Sequence, residues 1–148
     1  MKTRIYIDTS IVGGFFDKEF EKDTKALFQR LENKEIVFVI SSVLLDAPEK
    51  VRDLLNNYPQ DCFENVEATE ETDVLARKYI EANVVGETSF DDCRHIAITT
   101  INKVDVLASW NFKHIVNLSR INGYNRINKE NGYSKVEIRS PKELKIYG

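Results

Sequence analysis

Residues 36–40 read Ile-Val-Phe-Val-Ile, five apolar side chains in succession and most of them β-branched. A strand turns alternate side chains to opposite faces, so a strand with no polar member has no face to offer water. Such a strand belongs inside a sheet covered on both sides, the condition of parallel sheets built from β-α-β crossovers. Arg4-Ile5-Tyr6-Ile7 and Val104-Asp105-Val106-Leu107-Ala108-Ser109 have similar character and supply two more strands. The intervals between them carry helical spacing. Phe20, Thr24, Leu27, Phe28 and Leu31 predict a helix over 18–33, and Val51, Leu54, Leu55 and Tyr58 predict one between Pro48 and Pro59. Thr69 caps a helix with Glu70 and Glu71 in its first turn and Leu75, Tyr79 and Ile80 on its apolar side. Ser89-Phe90-Asp91-Asp92 opens another, running through Ile96 and Ile101.

The remaining stretches are weaker. Residues 63–68 read as an edge strand or extended connection, and 110–115 as a turn leading into a helix. Residues 122–135, rich in Asn, Gly and Lys, read as a surface connection. Val136-Glu137-Ile138-Arg139 alternates like an outer strand, and Ser140-Pro141 starts a short last helix. The class is therefore α/β: one domain over residues 1–148, with a mainly parallel central sheet and helices on both faces.

No apolar run approaches the roughly 20 residues a membrane span needs, and the first residues lack the pattern of a signal peptide. Cys62 and Cys93 stand in unlike surroundings without metal-ligand spacing, which suits reduced, buried thiols in a cytoplasmic protein. The net charge of −3 argues against a general polyanion binder, yet the charge is divided along the chain. Residues 1–93 hold 11 Lys/Arg against 20 Asp/Glu, whereas residues 94–148 hold 10 against 4. A nuclease can use that division, with acids for metal and bases for phosphates; a contact with an acidic partner chain would use it equally.

Four positions fall at comparable places relative to the sheet. Asp8 ends the first strand, Asp46 lies one turn past the second, Asp92 opens the helix before the third, and Asn111 lies just beyond that third strand. Ligands of open α/β sheets collect outside the carboxyl ends of the strands, so these side chains are predicted to converge. Carboxylates brought together repel, and a divalent cation relieves the repulsion. Mg²⁺ or Mn²⁺ prefers oxygen ligands, and can activate water and stabilise a phosphodiester undergoing displacement. Each position also has a plainer reading. Asp8 can cap the helix after it, with Gly13-Gly14 turning the chain sharply; Asp92 stands at capping-box spacing from Ser89; Asp91 can be a solvated first-turn acid; and Asn111 can be a turn residue. Glu49 competes with Asp46 as the second acid, and His95 and His114, lacking zinc-like spacing, read as structural. A Ser10 or Thr9 nucleophile with His95 as base lacks the glycines of a nucleophile elbow.

Taken in order, Tyr6-Ile7-Asp8-Thr9-Ser10, Ile40-Ser41-Ser42-Val43-Leu44-Leu45-Asp46, Asp92-Cys93-Arg94-His95-Ile96-Ala97 and Val106-Leu107-Ala108-Ser109-Trp110-Asn111 resemble the PIN-domain family of small Mg²⁺-dependent ribonucleases, best known as VapC-type toxins. Ile138-Arg139-Ser140-Pro141-Lys142-Glu143 is similar to the family's closing strand and turn. The resemblance implies a PIN-like fold over nearly the whole chain, with the first acid at Asp8, the third at Asp92 and the hydroxyl-bearing position at Ser109. It implies a metal site of Asp8, Asp46 and Asp92, with Asn111 and Ser109 as auxiliary ligands or water-positioning groups, acting on RNA. A toxin role implies an antitoxin that blocks the site, and the family's habits imply a homodimer. Two positions depart from the pattern. The second acid is commonly Glu deeper in its helix, while Asp46 is followed by Ala47-Pro48, and the fourth is commonly Asp, while Asn111 brings no charge. One metal ion is therefore expected. Arg94, Lys113 and Arg120 are the candidate phosphate-facing cations. The alternative, supported by Asn111 and the irregular Asp46 region, is a catalytically weak or inactive PIN-fold module that binds RNA or protein. Phosphoryl transfer through an Asp8 nucleophile fits poorly, because Ser10 stands where a dehalogenase-like site needs a second Asp.

Overall fold

The computed structural model describes residues 2–46 and 48–144, leaving aside the side chains of residues 45 and 46. Five strands, β1 (Thr3–Ile7), β2 (Ile36–Ser41), β3 (Phe63–Val66), β4 (Val106–Ala108) and β5 (Ile138–Arg139), form one sheet in the order β3-β2-β1-β4-β5. Every neighbouring pair is parallel. Helices α1 (Thr9–Gly14), α2 (Glu21–Glu32), α3 (Glu49–Asn56), α4 (Glu70–Glu81), α5 (Phe90–Ile101), α6 (Leu118–Glu130) and α7 (Pro141–Leu144) connect and cover it.

The unbroken apolar strands follow from burial on both faces. Ile5 and Ile7 of β1 and Phe38 of β2 enter one core with Leu27, Phe28 and Leu31 of α2 and Val51 of α3. The alternate residues Tyr6 and Val39 enter the other, with Leu75 and Tyr79 of α4, Ile96 of α5 and Tyr124 of α6. Each fully buried side chain of this size contributes roughly 1.5–3 kcal/mol relative to exposure. The predicted start of α4 is a closed capping box: Thr69 Oγ1 accepts from the Thr72 N–H at 3.2 Å, and Thr72 Oγ1 from the Thr69 N–H at 2.7 Å. Cys62 and Cys93 are buried and free, and burial pushes the Cys93 thiol up to about 12, which keeps it inert. Among the described residues no helix is long and apolar enough to cross a membrane.

Two local expectations are corrected and a third is met. Residues 122–135 are not a surface connection: α6 occupies most of them, from Leu118 to Glu130. Its asparagines are poor helix formers individually, but the spacing of Tyr124, Ile127 and Asn128 sets one buried face, and Asn117 caps the start by accepting the Arg120 N–H at 3.3 Å. Residues 110–115 do form a turn leading into a helix, which starts at Leu118. They form hydrogen-bonded turns, with the Ile115 and Val116 N–H groups both donating to the Asn111 carbonyl. Gly13-Gly14 does not turn the chain; both residues lie inside α1.

Asn128 is the buried polar residue that ties α6 inward. Its carbonyl accepts from the Tyr79 hydroxyl, and its amide donates to Thr100 Oγ1 at 3.4 Å. Asn128→Ala is expected to destabilise by about 1–3 kcal/mol, the scale of stranding a buried hydroxyl. Adding Tyr79→Phe should then cost less than its effect alone, because its partner is already gone; urea denaturation of the double-mutant cycle decides this.

Candidate functional site

From β1 the sheet grows through β2 and β3 on one side and β4 and β5 on the other, so its topological switch lies between β1 and β4. Ile7 of β1 pairs with Ala108 of β4, which makes the next residues of each strand, Asp8 and Ser109, neighbours. Ser109 Oγ donates to Asp8 Oδ2 at 2.6 Å. The other carboxylate oxygen, Oδ1, accepts from Ser10 Oγ at 2.6 Å and from the Ile11 N–H at 3.3 Å, so Asp8 does cap α1. The serines are themselves held: Ser10 Oγ accepts the Trp110 N–H at 2.8 Å, and Ser109 Oγ accepts the Asn111 N–H at 2.9 Å. Each serine has one hydroxyl hydrogen and gives it to Asp8; their own 3.3 Å approach is a contact between two anchors.

Asp8 is 3% exposed. Burial pushes its carboxyl up to about 6, against the hydrogen bonds from Ser10 and Ser109 and with added repulsion from Asp92. Asp92 stands in the first turn of α5. Its Oδ2 accepts from Asn111 Nδ2 at 3.3 Å and lies 3.3 Å from His114 Nδ1. Burial raises its carboxyl too, opposed chiefly by His114. Asp92 is not one half of a capping box. The Ser89 side chain makes no cap bond and instead lies 3.2 Å from His114 Nδ1.

Asp8, Ser10, Asp91, Asp92, His95 and Asn111 line one cavity of about 300 Å³, with Val43 and Pro48 on its apolar side. Among the described residues no Lys or Arg lines it. Asp8, Asp92 and Asn111, distant in sequence, are thus brought together. Asn111 turns its amide to Asp92 and its Oδ1 to the Lys113 and His114 N–H groups, at 3.2 and 2.9 Å. Ser109 is fully buried behind Asp8. The predicted site side chain of Asp46, at the end of the 3₁₀ turn Ser42–Asp46, lies outside the described residues. Glu49 lines a different cavity, with Phe16 and Lys50. Of the candidate cations, Arg94 is paired with Asp73 at 3.0 Å and with Asp91 at 3.3 Å, and Arg120 donates to the Val84 carbonyl in a separate groove; neither is part of the cavity's lining. Lys113 is exposed beside Asn111.

Sequence reasoning missed Ser10 as an anchor of Asp8 and both histidines as parts of the site. A hydroxyl two residues past an acid was a usable signal for the first, since such spacing favours local side-chain bonds. Nothing in the sequence marked the histidines. Among the described residues no three His, Cys, Asp or Glu side chains cluster as a preformed metal cage. The donor chemistry nevertheless fits a hard divalent cation: Asp8 and Asp92 offer carboxylate oxygens to a cavity whose described lining holds no Lys or Arg.

No family model matches the sequence, and no curated protein sequence matches it. Solved structures do match in shape. The crystal structure of Mycobacterium tuberculosis VapC20, a sarcin–ricin loop cleaving toxin, is similar over 74% of this chain and 91% of its own, with a TM-score of 0.56 at 13% identity. VapBC2 from Rickettsia felis, bound to a DNA fragment from their promoter, is similar over 93% of this chain and 98% of its own, with a TM-score of 0.56 at 14% identity. At that identity the likeness speaks for architecture alone: the chain has the PIN-like, VapC-like α/β fold.

Proposed function

We propose that the protein is a divalent-metal-dependent endoribonuclease, the toxin of a toxin–antitoxin pair, whose metal centre is built on Asp8 and Asp92 with Asp46 as the third acid. The supporting observation is the meeting of Asp8 and Asp92 in one cavity whose described lining holds no Lys or Arg. Mg²⁺ or Mn²⁺, when bound, supplies positive charge to a phosphodiester oxygen and acidifies water. The chain's own residues prepare for it. Ser10 and Ser109 fix the plane of the Asp8 carboxylate, and Asn111 and His114 fix Asp92. Such outer partners commonly affect metal affinity or activity by 10–100-fold. RNA as substrate is supported by the VapC20 likeness and by the basic C-terminal third, and an antitoxin partner by the VapBC2 likeness. A homodimer acting in the cytoplasm belongs to the same reading.

A catalytically silent RNA- or protein-binding module on this fold is favoured by one feature, the engagement of the Asn111 carbonyl by backbone N–H groups. Mn²⁺ titration by calorimetry, paired with RNA cleavage before and after chelation, separates the two. The ribonuclease should show one Mn²⁺ site, lose cleavage in EDTA and regain it with added metal. Two comparable sites would refute the single-metal reading; cleavage indifferent to EDTA, or none at all, would refute the metal-dependent nuclease.

A further inference from the structure

His95 reaches the cavity from a buried hydrogen-bonded row. Tyr6 Oη lies 2.7 Å from Ser41 Oγ and 2.6 Å from His95 Nδ1, and all three residues are buried. Counting hydrogens assigns the direction of the row. Ser41 Oγ accepts the Val43 N–H at 3.3 Å, which leaves its own hydrogen to donate, and Tyr6 Oη is its acceptor. The single Tyr6 proton then goes to His95 Nδ1. The reverse direction would leave the Ser41 hydrogen without an acceptor among the described residues. Burial holds the imidazole neutral, lowering it to about 4. A neutral ring that accepts at Nδ1 carries its proton on Nε2. His95 lines the cavity beside Asp8 and Asp92 while Nδ1 is turned to Tyr6. The polar edge left for the cavity is therefore a single N–H donor.

We propose that His95 is a substrate-contacting residue whose Nε2–H donates to a non-bridging phosphate oxygen of RNA seated at Asp8 and Asp92. The proposal rests on the ribonuclease reading. A Lys or Arg at this place would pair with the carboxylates and compete with a cation for them. An uncharged donor holds an anionic oxygen and leaves both acids free.

The test uses the side-chain geometry of the two amides. His95→Gln puts an amide nitrogen near the place of Nε2 and retains a donor toward the cavity. His95→Asn keeps an acceptor for Tyr6 and removes that donor. Affinity for a fluorescein-labelled single-stranded RNA is measured in Ca²⁺, alongside Mn²⁺ affinity without RNA and KM and kcat for cleavage in Mn²⁺. His95→Asn should weaken RNA binding and raise KM by about tenfold, with Mn²⁺ affinity unchanged, and His95→Gln should recover most of the loss. The wild-type protein provides a readout that needs no variant: ¹⁵N spectra should show the Nε2–H form of His95, with the Nε2 signal moving when RNA is added. An Nδ1–H form, equal RNA affinity in wild type and His95→Asn, or equal losses in both variants would overturn the contact. If wild type binds RNA without cutting it, the nuclease reading alone fails and the affinity comparison still decides the contact. If wild type binds no RNA, both fall.

Discussion

Asp8→Asn is expected to lower metal-dependent RNA cleavage by roughly a hundredfold or more while making the metal-free protein more stable. On the proposed metal-dependent reading, the first effect is the loss of the buried charge that would draw the cation, a change on the scale of removing a transition-state-stabilising group. The second follows from desolvation. The Asp8 carboxyl sits at about 6 in the folded chain against an ordinary value of 3.8, so its ionised form opposes folding at neutral pH. Two pH units correspond to about 3 kcal/mol, and reversing one serine hydroxyl to accept from an amide takes back part of it, leaving a net gain of about 1–2 kcal/mol. Urea denaturation in EDTA measures it. An Asp8→Asn protein less stable than wild type would show that its hydrogen bonds outweigh its desolvation.

The same variant has a signed pH signature. Because the folded Asp8 value is raised, its stabilising contribution is complete below 3.8 and is lost as pH rises through about 6. His95 is lowered from 6.5 to about 4, so its contribution is complete above 6.5 and is lost as pH falls toward 4. Between pH 7 and 5 the two oppose each other. Asp8→Asn leaves only the His95 component, and the variant's stability should fall more steeply on acidification than that of wild type. His95→Asn should do the reverse.

Gly14→Ala should destabilise the protein by about 2 kcal/mol and depress activity, while Gly13→Ala, one residue earlier in α1, should be neutral or stabilising by up to about 1 kcal/mol. A Cβ on Gly14 would stand 2.6 Å from Trp110 Nε1, 2.7 Å from Cδ1 and 2.8 Å from Thr24 Oγ1, whereas one on Gly13 meets nothing within 4 Å. The indole has no easy retreat. Its Nε1–H donates to Thr24 Oγ1 at 2.9 Å, and its ring stacks on Phe20 at 4.3 Å between centroids. Moving Trp110 also disturbs its backbone N–H, which holds Ser10 Oγ, which holds Asp8. Thermal melts and cleavage rates of the pair check both halves; equal melting temperatures would mean the indole yields without penalty.

The architecture was legible because burial on both faces leaves a one-dimensional mark: strands without polar residues, separated by helical spacing, imply a covered parallel sheet. Asp8 was legible for the same reason, since the end of a buried strand is recognisable without knowing its neighbours. α6 was obscured because its asparagines have low helix propensity, and its stability comes from the buried face of Tyr124, Ile127 and Asn128, a tertiary contribution. The directions of the Asn111 amide, the serine hydroxyls and the two imidazoles were decided only by the fold. Each depends on which donors and acceptors distant segments place within 3 Å or so, and hydrogen-bond strength falls too steeply with distance and angle for spacing along the chain to reveal it. The sequence by itself determined the sheet and the acid at its central strand; packing between β1, β4 and α5 determined what that acid faces, because only there do residues a hundred positions apart share one set of protons.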